Sequence, residues 1–175
     1  MKRQHAISSA LLHFAYWPDS FFSANCPCKW RQCRIVLAED DDCLRELIAN
    51  KLRSDEHHVH AAADGEAAWL SLQAEPFDLL ITDYAMPRLN GLDLLRRMRG
   101  ASMQQPTILI SGALPSITSE MKALMLPGAA MAKPFSYIDL RIVVELLLHP
   151  PEAEMQQAAP CKEQQPSREE MEALA

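Results

Sequence analysis

No run of eighteen or more apolar residues occurs in this 175-residue chain, so it lacks a segment able to cross a bilayer as a helix. It also lacks a dense basic cluster, and its net charge is −6. That balance argues against a chain built to grip nucleic-acid phosphates. An even disulfide framework is missing too: the five cysteines are Cys26, Cys28, Cys33, Cys43 and Cys161. An odd, scattered set suits a reducing cytoplasm. These absences leave a soluble cytoplasmic protein of about one domain as the expectation, with neither a membrane nor a nucleic acid as its direct partner.

Charge divides the chain into three parts. Residues 1–33 carry four Lys or Arg against one acid, residues 34–149 eleven against sixteen, and residues 150–175 two against six. The first part has a basic start and a short apolar stretch, the outline of a signal peptide, but His13 interrupts it and no clean small-residue cleavage site follows. It is expected to be a flexible extension, or the product of a start assigned too far upstream. Its "CPCKWRQC" run has one-residue spacing where zinc sites use Cys pairs two to four apart, with a second pair. The last part opens on Pro150-Pro151 and is rich in Glu, Gln and Ala. Such a composition buries too little apolar area to order itself, so a disordered acidic tail is expected.

Only residues 34–149 alternate short apolar runs with helical patterns. "RIVLA", "VHAAA", "DLLIT", "PTILIS" and "AAMA" read as strands. "CLRELIANKL", with Leu44, Leu47, Ile48 and Leu52 at helical spacing, reads as the first helix, and a turn is expected at Asp64-Gly65 before "EAAWLSLQ". "GLDLLRRMR", "SEMKALM" and "YIDLRIVVELLL" complete five helices. Strands alternating with helices predict an α/β, doubly wound, five-stranded parallel sheet with helices on both faces, and such sheets bind ligands outside the carboxyl ends of their strands.

At those ends stand Glu39, Asp40 and Asp41, then Asp83, Ser111 and Lys133. Converging carboxylates raise one another's pKa unless a cation lies among them. A hard divalent ion such as magnesium takes oxygen ligands and leaves room for a phosphate oxygen, so carboxylates beside a hydroxyl and an ammonium describe a phosphoryl-transfer site with Asp83 as candidate nucleophile.

Several motifs agree in order and spacing with one family. "VLAEDDDCLREL", "DLLITDYAMPRLNGLDLL", "ILISGA" and "AKPF" resemble the acidic pair, phospho-acceptor block, hydroxyl strand and lysine strand of the receiver domain of bacterial two-component response regulators. The resemblance implies a flavodoxin-like fold with strand order 2-1-3-4-5. It implies that Asp83 accepts the phosphoryl group as an aspartyl phosphate, and that Asp40, Asp83 and the Ala85 carbonyl bind Mg2+ directly, with Glu39 acting through a metal-bound water. Ser111 would donate to one phosphoryl oxygen and Lys133 would pair with another, Lys133-Pro134 would be cis, and Gly91 would permit the turn into the third helix. The donor would be a sensor histidine kinase or a histidine phosphotransfer protein.

Other residues have plainer readings. Asp42 is expected to cap the first helix, while Asp41 fits either cap or metal. His58 and His60 share a strand face and, with His57, are expected at an exposed strand start. Met86, Met121, Met125 and Met131 are expected to fill core gaps, and Trp69 to anchor the second helix. There are also departures from the family. Ala130 stands where members carry an aromatic three residues before the lysine, Asp42 where many have proline, and Pro127-Gly128 near the usual end of the fourth helix. Ala85 and Ala113 offer no polar side chain to orient water. The expectation is a stand-alone, single-domain response regulator that signals by changed protein binding, because the 26-residue tail is too short for a DNA reader. A phosphorylation-independent binding module is the alternative that Ala130 motivates. A phosphate-hydrolysing enzyme is disfavoured because Ala85 leaves the place of a second acid empty.

Overall fold

The computed structural model describes residues 32–112 and 118–149. The expected acidic tail, the Cys26 and Cys28 run and Ala113 lie outside the described residues, as does the expected N-terminal extension apart from residues 32 and 33. Five strands and five helices alternate: β1 (Arg34–Ala38), α1 (Asp42–Ser54), β2 (His58–Ala62), α2 (Gly65–Ala74), β3 (Leu79–Asp83), α3 (Gly91–Gly100), β4 (Thr107–Ser111), α4 (Ser119–Met125), β5 (Gly128–Ala132) and α5 (Tyr137–Leu148). The strands form one parallel sheet in the order β2-β1-β3-β4-β5, as expected. Among the described residues, no helix is long and apolar enough to cross a membrane.

Strand composition explains this arrangement. Every residue of β3 and β4 is buried, which suits central strands covered on both faces. Alternate residues divide between two cores. Val36, Leu80 and Leu109 pack with Leu72, Leu94, Leu95 and Met98 on one side of the sheet. Ile35, Ile81 and Ile108 pack with Ile48, Leu52, Leu140 and Val144 on the other. Replacing one of the fully buried leucines with alanine would cost about 2–5 kcal/mol.

Several local expectations need correction. Asp41, not Asp42, caps α1: its carboxylate accepts from the Leu44 N–H at 2.8 Å, while Asp42 is the first helical residue and pairs with Arg45. Asp64-Gly65 starts a helix rather than making a separate turn, with Asp64 capping α2 through the Ala67 N–H at 2.9 Å. Leu47 keeps helical spacing but is 58 % exposed, because the buried stripe of α1 runs through Ile48, Ala49 and Leu52. His58 and His60 are exposed as expected, whereas His57 precedes the strand and is buried. The four methionines named above are buried, and Trp69 is half-buried against the α2–α3 core.

Candidate functional site

Parallel pairing brings the ends of β1, β3, β4 and β5 to one rim, and chain chemistry fixes what stands there. Glu39 follows β1 and is buried, Asp40 beside it is exposed, and Asp83 closes β3 with 7 % exposure. Carboxylate oxygens of Glu39, Asp40 and Asp83 lie within 4.8 Å of one another. Lys133 reaches across from the end of β5. Its ammonium donates to Glu39 Oε1 at 3.0 Å, Glu39 Oε2 at 2.8 Å and Asp83 Oδ2 at 2.8 Å. This ammonium partly neutralises two of the three carboxylates, Glu39 and Asp83. The Lys133-Pro134 bond is cis, as expected, and Leu126-Pro127 is a second cis bond that was not foreseen.

The electrostatics follow from this crowding. Burial pushes the Glu39 carboxyl above its ordinary range and the neighbouring Asp83 adds to the rise, against the Lys133 hydrogen bond. Burial works against the Lys133 charge, but hydrogen bonds to Asp83 and Glu39 outweigh it and raise its pKa. Lys133 stays charged at any ordinary pH.

The remaining expected residues join the same rim. Ser111 ends β4 in the interior, and its carbonyl accepts from the Lys133 N–H at 2.7 Å. Ala85 is exposed two residues past Asp83, its N–H 3.5 Å from Asp83 Oδ1. Gly91 matters through close approach: a Cβ there would sit 2.2 Å from the Asp83 carbonyl oxygen. Its N–H donates to the Tyr84 carbonyl at 3.0 Å, which closes the loop after β3.

Arg45 was missed by the sequence reading. Its guanidinium donates to the Glu39 carbonyl at 2.8 Å and pairs with Asp42, so it fixes the acidic turn from inside α1. The available signal was weak: an Arg three residues after Asp42 looks like ordinary helix-surface pairing.

The donor set suits a hard cation. It is all oxygen, Asp40 is open to solvent, and among the described residues Asp83 Oδ1 has only the long contact from Ala85 while Lys133 occupies Oδ2. Magnesium accepts this pattern of one or two carboxylates with remaining waters.

A family model for the response regulator receiver domain matches residues 35–145. The chain belongs to that family. It is 32% identical over 115 residues to the response regulator receiver protein CpdR of Brucella abortus, a match covering 66% of this chain and 96% of that one. It is 36% identical to the response regulator protein PmrA of Pseudomonas aeruginosa over 65% of this chain but only 52% of that longer protein. Among solved structures, the response regulator TrrA of Thermotoga maritima, in complex with Mg2+ and BeF, superposes with a TM-score of 0.59 at 26% identity, covering 67% of this chain and all of that one. Receiver domains as a family work in two-component signalling, bind Mg2+ at an acidic pocket, and interact with histidine kinases or phosphotransfer proteins. The Glu39, Asp40 and Asp83 cluster of this receiver is such a pocket in composition and position.

Proposed function

We propose that this receiver takes a phosphoryl group from a phosphohistidine onto Asp83 in a magnesium-dependent reaction and signals by altered protein binding. The observation that carries the reading is the joint engagement of Asp83 and Glu39 by one ammonium, at 2.8 Å to each, beside a third carboxylate within 4.8 Å.

In the reaction, an Asp83 carboxylate oxygen attacks phosphorus. The new O–P bond forms as the P–N bond to the donor imidazole breaks, and the leaving nitrogen takes a proton. Lys133 holds positive charge beside the attacking carboxylate and the gathering phosphoryl oxygens. The Ser111 hydroxyl donates to another of those oxygens. Asp40, Asp83 and the Ala85 carbonyl would hold a magnesium ion, with Glu39 reaching it through a water, and the ion would supply further positive charge against the phosphoryl oxygens. With alanine at position 85, no side chain there orients water for hydrolysis, so the acyl phosphate should be long-lived.

An acyl-phosphate donor with magnesium should add one phosphoryl group by intact mass, and Asp83→Asn should abolish the addition. Unchanged labelling of that variant would move the acceptor elsewhere.

A second reading, binding without phosphorylation, is favoured by Ala130. The residue is buried in β5 and shares a core with Met121 and Met125 of α4, so position 130 offers no aromatic side chain to swing. Under the main reading, coupling runs instead through Gly112 and the start of α4. Phosphorylation should change amide exchange at Gly112 and Thr118–Met121 more than at Ala129–Met131. A fully labelled receiver with no change in exchange anywhere would favour the second reading.

A further inference from the structure

The segment from Tyr84 to Asn90 carries Ala85, and its position is fixed from outside the acidic rim. Met86 and Leu89 turn into the core shared by α2 and α3. Arg88 sits between them in the left-handed region, at φ 65, with its side chain directed outward. Its guanidinium pairs with Oδ2 of Asp64. Asp64 is 3 % exposed, and its other oxygen caps α2 through the Ala67 N–H at 2.9 Å. One buried carboxylate therefore holds both the start of α2 and the loop after β3. The next residue completes the junction, because a Cβ on Gly65 would lie 2.1 Å from the Leu89 carbonyl oxygen. Only a bare α-carbon lets the two segments meet this closely.

The geometry points to Asp64 and Arg88 as positioning residues for magnesium: the pair clamps the loop that presents the Ala85 carbonyl, although neither touches the metal. This rests on the reading of Ala85 as a ligand. Groups that orient ligands from behind tune affinity because they remove the freedom the ligand would otherwise lose on binding. Asp64 is suited to the task. Its carboxylate is already fixed by the cap, so the guanidinium meets a partner that has no rotamer freedom left to lose.

Three variants of the full chain test the clamp: Arg88→Ala, Arg88→Lys and Asp64→Asn, the last keeping an N-cap oxygen while removing the charge. In metal-free protein, exchange should quicken at the Leu89 and Gly91 amides in Arg88→Ala and Asp64→Asn. Direct magnesium titration should show affinity weakened by about tenfold in both, no further loss in the double variant, and partial recovery in Arg88→Lys. With an acyl-phosphate donor, the magnesium needed for half-maximal labelling should rise while the rate at saturating magnesium stays near wild type. Magnesium affinity within twofold of wild type in both single variants, or losses that add in the double variant, would overturn the clamp. A wild type that binds magnesium but accepts no phosphoryl group would break the proposed function and leave the clamp to be decided by affinity and exchange.

Discussion

The two ends of the sheet handle buried polarity differently. At the carboxyl ends, the carboxyl groups of Glu39 and Asp83 are buried, and Lys133 bridges them. At the amino ends, polar groups are tied mostly to backbone. Thr107 Oγ1 donates to the Met125 carbonyl at 2.9 Å, and the His58 N–H donates to the Cys33 carbonyl at 2.9 Å. His57, also buried, has an Nδ1 without a hydrogen-bond partner among the described residues. At the carboxyl ends side-chain charges meet one another, whereas at the amino ends charged side chains are spent on backbone: Asp78 accepts from the Arg34 N–H at 2.7 Å, and Arg99 donates to the carbonyls of Leu124, Met103 and Gln105. The first arrangement is costly to disturb because removing one member leaves the others buried and uncompensated. The second is costly through lost packing and through carbonyls left without their donors.

Lys133→Ala should break this contrast most severely. It leaves two buried carboxylates facing each other, so metal-free stability should fall by about 3 kcal/mol, and labelling should slow by about a hundredfold or more. Magnesium should then raise the thermal midpoint by more than it does in wild type, since it becomes the only cation for the cluster. Denaturant melts with and without magnesium check this. An equal magnesium response in variant and wild type would mean that the ammonium and the metal do not share the work of neutralisation.

Each end also has a glycine against a backbone oxygen, and the pair separates stability from chemistry. A Cβ at Gly91 would lie 2.2 Å from the Asp83 carbonyl, and one at Gly128 would lie 2.2 Å from the Thr107 carbonyl and 2.4 Å from that of Met125. Either Gly→Ala change should cost about 1–3 kcal/mol through forced backbone movement. Only Gly91→Ala should also weaken magnesium binding and slow labelling, because the atom displaced belongs to the acceptor residue. If Gly128→Ala impaired labelling as strongly, the two ends would be coupled more tightly than their contacts indicate.

How much of this could be read in advance followed the same division. The strands were legible because β-α alternation leaves short apolar runs that few other folds produce, and the rim residues because each one ends such a run. What was not legible depends on where side chains go after the chain has folded. Whether Asp41 or Asp42 caps α1 is decided by one residue of register. The Arg88 and Asp64 pair spans 24 positions. Leu47 fits the apolar period of α1 yet faces outward because the stripe is narrower than the pattern allows. Lys133 was expected to meet a phosphoryl oxygen, and its hold on both carboxylates required knowing how far β5 sits from β1.

The smallest effect belongs to His57. Burial lowers its pKa from 6.5, the charge of His149 adds to the lowering, and Asp55 opposes it. A histidine with a lowered folded pKa favours the folded state fully above its unfolded value of 6.5, and that contribution is lost as pH falls through 6.5 toward the folded value. The unfolded chain takes up a proton in that window and the folded chain does not. Stability of the wild type should therefore decline between about pH 7 and the lowered value, on top of whatever other groups contribute. His57→Phe keeps a ring of similar size, removes the unpartnered nitrogen and has nothing to protonate. Its stability relative to wild type should rise as pH falls across the window, and it should match or exceed wild type even at pH 7.5, since a buried polar atom without a partner is itself unfavourable. Denaturant midpoints at pH 7.5, 6.5 and 5.5 measure the difference. A difference that stays flat across the three would show that His57 takes up its proton equally in both states, and the amino end of the sheet would then be as open to water as the acidic rim.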